Sequence, residues 1–433
     1  MKKATSALLL IALTLILLEA GSWVYLSVVE GLRYADLAPE KSRHVNIVMA
    51  GKNPGDLRFW NNQKFQLHPY FGYTLEPWSE EGVNNAGLIS DKTYPYEPDR
   101  KTLVVGVFGG SVAGNIFFHI DKVRRGQLEG LLLPRIREKG YERVEFLNFT
   151  LGGYKQPIDL FNFIYYLDTI DLAIFIGGFN EIHQFGTNVA NHEFPADFPK
   201  WKYWRVLGEG NFSPDELRIV AQLTRNRDRQ NAVTAFASAP ILKQSMFVHM
   251  VWRAVTAVMM KNVSELRAEL DEEAANERVY PQVVESDDLE LIFSAFLEKL
   301  RGYMRSADAV GWAGDVPTLF VLQPNQYLPN SKPLSDEEKR EFLTSENLSQ
   351  FVPEWYPRVR DLYSDLGSQG IFTLDLTEVF SDTQETTYAD ECCHLNALGR
   401  RIVTDEIFDS ILTRDGFLDG LPSADHRQRA EAP

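Results

Sequence analysis

The sequence predicts an α/β protein: a three-layer α/β/α fold on a parallel sheet of about five strands, with a helical insertion and an N-terminal transmembrane helix. Three observations carry this expectation. From residue 102 onward, short apolar runs rich in β-branched residues alternate with segments of helical period. Several of those runs end in glycine pairs, at Gly109-Gly110, Gly152-Gly153 and Gly177-Gly178. Two lysines at the extreme N-terminus precede a long apolar stretch.

The chain has 433 residues, 44% of them hydrophobic, which suits one large or two ordinary domains. Its formal net charge is -16 and no basic cluster offsets it, which argues against nucleic acid as a partner. Met1-Lys2-Lys3 leads into an apolar stretch from Ala4 to about Val29, interrupted by Glu19. A membrane anchor needs roughly 20 apolar residues. Trp23 and Tyr25 suit the interface belt. Leu18-Glu19-Ala20 matches a signal-peptide cleavage site poorly. Residues 1–30 are therefore expected to be an uncleaved anchor with the body of the chain exported to the periplasm. A cleaved signal segment is the competing reading.

Residues 31–100 read as a linker and lead-in of short strands or loops, with scattered aromatics such as Tyr70, Phe71 and Tyr73 expected in the core. Thr102 to Phe108 is the first strand of the sheet. Lys122 to Lys139 reads as a helix with Leu128, Leu131, Leu132 and Ile136 on its apolar stripe, kinked or split by Pro134. Val144 to Asn148 is the second strand. Pro157 to Leu167 is a helix with its proline in the first turn, and Asp171 to Ile176 is the third strand. Residues 185–315 interrupt the alternation as a helical insertion. The part around Ile241 to Met260 carries Lys243, His249 and Arg253, which argue against a second membrane span. It is expected to cover the cleft at the sheet edge, and Trp312 is expected in the core. Strands resume at Val316 to Leu322 and Ile371 to Leu374. Asn396 to Leu412 closes the domain, which spans 101–415, and the polar tail 416–433 is expected to be disordered.

Ser111 stands at the strand-to-helix turn of Val104-Val-Gly-Val-Phe-Gly-Gly-Ser111, at the carboxyl edge where open α/β sheets place their sites. A serine hydroxyl needs a base, usually histidine, whose tautomer a carboxylate fixes. His394, just before the last helix, follows Asp390 by four residues and Glu391 by three. Acyl transfer also needs donors for the oxyanion. The backbone N–H groups of Ser111 and Gly153 and the side-chain amide of Asn180 lie on loops at the same edge. His119 and His183 lie near these blocks in sequence and are expected at the surface or behind the site. Adjacent Cys392 and Cys393 form neither a disulfide framework nor a metal-ligand set. They read as a reduced pair packed beside the site. Nothing indicates a metal or an organic cofactor.

Phe108-Gly-Gly-Ser111, Asn148 to Tyr154, Gly178-Phe-Asn-Glu181 and Glu391-Cys-Cys-His394, in that order, resemble the four blocks of the SGNH (GDSL-like) hydrolase superfamily. Gly110 stands where that family has aspartate, and Glu181 and Glu391 replace its Asp residues. The resemblance covers roughly residues 102 to 181 and 316 to 412. With the N-terminal stretch and aromatic lead-in, it is similar to membrane-tethered bacterial members. It implies a flavodoxin-like fold and a serine esterase acting on O-acyl esters, of small molecules or cell-envelope glycans. A sugar hydroxyl in place of water as acceptor would make the protein an O-acetyltransferase. Loss of the block-one aspartate leaves open a non-catalytic binding or assembly protein of the same fold. The family spacing favours Glu391 as the carboxylate that orients His394, and Asp390 is the alternative.

Overall fold

The computed structural model describes residues 2–35, 37, 65–79, 82–190, 195–199, 214–240, 242–275 and 286–425. Along the chain these form helix α1 (Lys2–Val24), a hairpin β1 (Phe65–His68) and β2 (Gly72–Leu75), then β3 (Thr102–Gly109), α2 (Ser111–Phe118), α3 (Arg125–Ile136), β4 (Arg143–Thr150), α4 (Ile158–Tyr165), β5 (Leu172–Gly177) and α5 (Phe179–Phe185). There follow α6 (Pro214–Ala237), α7 (Met246–Ala275), α8 (Leu289–Ala313), β6 (Thr318–Leu322), α9 (Glu346–Ser368), β7 (Thr373–Asp375) and α10 (Ala397–Thr413). The chain divides into two compact units, Gln63–Gly208 with Arg278–Pro433, and Met1–Asn62 with Glu209–Glu277.

The larger unit is built on a five-stranded sheet in the order β4-β3-β5-β6-β7. All four strand pairings are parallel. Every residue of β3 is buried, because helices cover both faces and leave no solvated side for polar alternation. Phe149, Phe108, Phe175 and Phe320 lie opposite one another in register on four successive strands. Their rings stack at 4.8, 4.9 and 4.9 Å across the sheet. Phe163 of α4 meets two of them edge-on. On the opposite face Phe408 of α10 packs against Phe146. This ladder of aromatic cross-strand contacts stiffens the sheet just before it delivers Ser111 to the edge.

The expected helix 122–139 is α3, followed by a tight turn Arg137–Lys139. Pro134 stays inside α3, and the break falls upstream at a wide helical turn, His119–Arg124. Leu128, Leu132 and Ile136 are buried, whereas Leu131 is exposed. Trp312 is also exposed, since its neighbour Gly311 takes the face of α8 that presses on Thr318. Tyr70 and Trp78 are exposed, while Phe71 and Tyr73 are buried.

Helix α9 was not expected from sequence, because Pro353 and Pro357 lie within it. Each proline costs about 3 kcal/mol inside a helix. Leu348, Val352, Trp355, Tyr356, Val359, Leu362, Tyr363 and Leu366 form a buried stripe that outweighs this, and Ser345 caps the first turn. The tail is ordered further than composition suggests. Phe417, Leu421 and Ala424 are buried, and the Ala424 N–H donates to the Lys139 carbonyl. Residues 426–433 of that predicted tail lie outside the described residues, as do 38–64 of the lead-in.

In the smaller unit, Glu19 explains its place in an apolar run. Its carboxylate accepts from Ser245 Oγ at 2.6 Å and from the Met246 N–H at 2.7 Å, capping the N-terminus of α7. Leu26, Leu37 and Met246 form a buried cluster beside it. The segment expected over the cleft belongs to this unit through α7, which packs on α1 and α6. Ile241 lies outside the described residues. Among the described residues, no helix is long and apolar enough to cross a membrane.

Candidate active site

β3 leaves the sheet through Gly109, whose φ is +133° and where a Cβ would stand 2.1 Å from the Ile176 carbonyl oxygen. Only glycine fits that turn. Gly110 then caps α2, and Ser111 is its first residue, half-buried at the carboxyl end of β3, between β4 and β5. The Ser111 hydroxyl lies 2.7 Å from His394 Nε2, and His394 Nδ1 lies 2.5 Å from Asp390 Oδ2. The three sequence-predicted groups therefore meet in one chain of hydrogen bonds.

Asp390 is the carboxylate in that chain, not Glu391. The loop 390–394 wraps around Asp390, whose Oδ1 faces the N–H groups of Cys392, Cys393 and His394 at 3.0, 3.2 and 3.2 Å. That wrapping uses one residue more than the family spacing and carries Oδ2 to the imidazole. Glu391 points away and accepts from Thr344 Oγ1 at 2.8 Å. Burial alone would raise the Asp390 pKa. The facing His394 and the backbone donors outweigh it and bring it down to about 2. Asp390 is thus an ionised acceptor at neutral pH. His394 Nδ1 must carry the proton, which leaves Nε2 to accept from the Ser111 hydroxyl.

The loop is held from three sides. The Ala389 N–H donates to the His394 carbonyl at 2.8 Å, closing its base. Gln326 Nε2 donates to the Asp390 carbonyl at 2.9 Å, and the Tyr327 hydroxyl to the Glu391 carbonyl at 2.8 Å. Asn396 caps α10 through the Leu398 and Gly399 N–H groups, and its own amide donates to Thr386 at 2.6 Å. Below, the fully buried Lys332 and Glu338 form an ion pair at 3.1 Å. Glu338 accepts from the Thr387 and Tyr388 N–H groups, and Lys332 donates to the Thr383 and Glu385 carbonyls. Gln326 and Tyr327 are not among the sequence-predicted site residues; they follow the strand Val316 to Leu322 directly. The position at a strand's carboxyl end was the available signal; Lys332 and Glu338 carried none.

The glycine loop after β4 is clamped by side chains. Gly153 has a φ of +85°, and its carbonyl accepts from Gln184 Nε2 at 2.6 Å. The Tyr73 hydroxyl donates to the Gly152 carbonyl at 2.8 Å. Asn180 Nδ2 donates to the Tyr154 carbonyl at 2.8 Å and lies against the α-carbon of Gly110. Glu181 accepts from the Gly178 N–H at 2.8 Å and the Gln156 N–H at 3.3 Å, tying the Asn180 loop to the glycine loop. Ser111 at the start of α2, Gly153 in the glycine loop and Asn180 in the first turn of α5 thus stand on adjoining segments.

His183 stacks on Phe179 at 5.4 Å. His119 is buried rather than at the surface, and burial with the nearby Arg400 and Arg124 lowers its pKa to about 4. Among the described residues, no three His, Cys, Asp or Glu side chains are grouped to hold a metal ion. Comparison with models of protein families and with curated proteins finds no match for this chain.

Proposed function

We propose that the chain is a serine esterase of SGNH-hydrolase type, acting on O-acyl esters. The observation that carries this reading is the hydrogen-bonded chain from Ser111 Oγ through His394 to Asp390. In this mechanism Ser111 Oγ attacks the ester carbonyl while His394 Nε2 takes the hydroxyl proton. Asp390, held ionised, steadies the imidazolium that results. The charge on the tetrahedral oxygen falls toward the Ser111 and Gly153 N–H groups and the Asn180 amide. His394 then returns the proton to the leaving alcohol. Water, activated by the same imidazole, hydrolyses the acyl-enzyme. We further propose, on the resemblance, that the substrates are acylated envelope glycans and that the N-terminal helix tethers an exported domain.

A fluorophosphonate that phosphonylates reactive serines tests the reading. Labelling of Ser111 in the wild type, lost in Ser111→Ala with the circular dichroism spectrum unchanged, is the expected result. An unlabelled Ser111 in folded protein would replace this proposal with a non-catalytic binding protein.

A further inference from the structure

Two thiols lie inside the His394 loop rather than beside it. Cys392 and Cys393 are two of the three residues between Asp390 and His394, and both are thiols, not a disulfide. Their sulfurs are 3.1 Å apart. Cys393 is buried and Cys392 half-buried. Their own backbone N–H groups are two of the three that face Asp390 Oδ1. The residues that carry the sulfurs therefore also fix the carboxylate that orients His394.

We propose that the Cys392–Cys393 pair is a redox modification site, a vicinal dithiol whose reversible closure to a disulfide releases Asp390 from its backbone donors. Its effect on catalysis rests on the esterase reading; its effect on the Asp390–His394 pair does not. Adjacent α-carbons are about 3.8 Å apart, below the roughly 4.4 Å lower limit of ordinary disulfides. Ring closure must therefore twist the peptide that joins the two residues. The N–H of that peptide belongs to Cys393 and faces Asp390. Strain of this kind also makes a disulfide easy to reduce, which a reversible device requires.

The oxidant is a disulfide-class compound. Cys392, the more accessible sulfur, attacks it as thiolate, forming a mixed disulfide and expelling one thiolate. Cys393 then loses its proton, and its sulfur displaces the second thiolate from Cys392. Two protein thiols lose two electrons and two protons, and the oxidant gains both pairs as two thiols. Burial pushes the Cys393 thiol well above its ordinary pKa, so Cys392 reacts first and Cys393 resolves.

The full chain, with 15N-labelled histidine, is treated with oxidised glutathione and followed by intact mass, proton NMR and fluorophosphonate labelling. The low-field Nδ1–H signal of His394 is identified by its absence in His394→Gln. Closure should remove two hydrogens from the mass and shift or abolish that signal. Ser111 labelling should slow roughly tenfold or more, as expected when the carboxylate partner is lost. Dithiothreitol should restore all three. In the Cys392→Ser, Cys393→Ser double variant the signal and labelling should not respond to the oxidant. Reaction that stops at a glutathione adduct, or a closed pair with an unchanged His394 signal, would overturn the proposal. Absence of labelling in the reduced protein would instead refute the esterase reading, while the His394 signal would still decide the dithiol site.

Discussion

The side-chain amide of Asn180 rests directly on the α-carbon of Gly110: a Cβ at Gly110 would stand 2.0 Å from Asn180 Nδ2 and 3.0 Å from the Tyr154 carbonyl oxygen. This contact explains why glycine occupies the position before Ser111. The amide proposed to face the oxyanion sits where a larger residue's side chain would begin. Gly110→Ala, and equally Gly110→Asp, should push the amide away. The loss of one oxyanion donor costs about 10²–10³ in kcat. Ester hydrolysis by Gly110→Asp at the wild-type rate would show that Asn180 is not held there.

Asp390 and Glu391 offer a sharper comparison. Asn at 390 would present an amide donor to His394 Nδ1 and leave the proton on Nε2, facing Ser111. Asp390→Asn should therefore lower kcat by about 10³–10⁴. Among the described residues, the Glu391 carboxylate accepts from Thr344 alone, near the surface. Glu391→Gln keeps an acceptor and should cost less than about threefold, the scale of a surface substitution worth 0.5 kcal/mol. Steady-state rates on a model acetyl ester decide between them, and a larger loss at Glu391 would restore the family register.

These two cases mark how far the sequence could be read. The strands and the turn at Ser111 were legible because apolar runs broken by glycine leave few alternatives. His394 was legible because it precedes a capped helix. The choice between Asp390 and Glu391 was not, since it depends on how a loop of four peptides folds back on one carboxylate. Helix α9 was hidden by Pro353 and Pro357, whose local cost is overridden by a stripe that only the folded sheet can bury. The Lys332–Glu338 pair was invisible because two charged residues six apart look solvated until the backbone they hold is placed.

That pair yields a prediction about acid stability. Burial would raise the Glu338 pKa, but the Thr387, Ser335 and Tyr388 N–H groups and Lys332 together lower it below its ordinary value. A carboxyl whose pKa is lower folded than unfolded stabilises the native state above the unfolded value, near 4.5. That contribution is lost as pH falls through the folded value. Glu338→Gln leaves Lys332 buried without its partner and should destabilise the protein by about 3–5 kcal/mol at pH 7. Its stability should also fall less steeply between pH 5 and the acid limit than the wild type's. Urea melts at a series of pH values measure both, and parallel curves would show that Glu338 does not titrate with folding.

The N-terminus supplies the last prediction. Leu10, Leu13, Leu15, Ile16, Leu17 and Leu18 of α1 are exposed, while Glu19 is occupied in capping α7. A charged residue already hydrogen-bonded costs less at a membrane boundary than a bare one. In the tether proposed above, Lys2 and Lys3 ahead of the leucines would keep the N-terminus in the cytoplasm and place the rest outside. Protease added to spheroplasts should digest the domain that carries Ser111, and the mature chain should still begin at or next to Met1. The Glu19→Ala variant should remain membrane-associated but lose the cap on α7, reducing thermal stability by about 1 kcal/mol. A mature chain that begins near Gly21 would show instead that the leucine stretch is a signal segment removed on export.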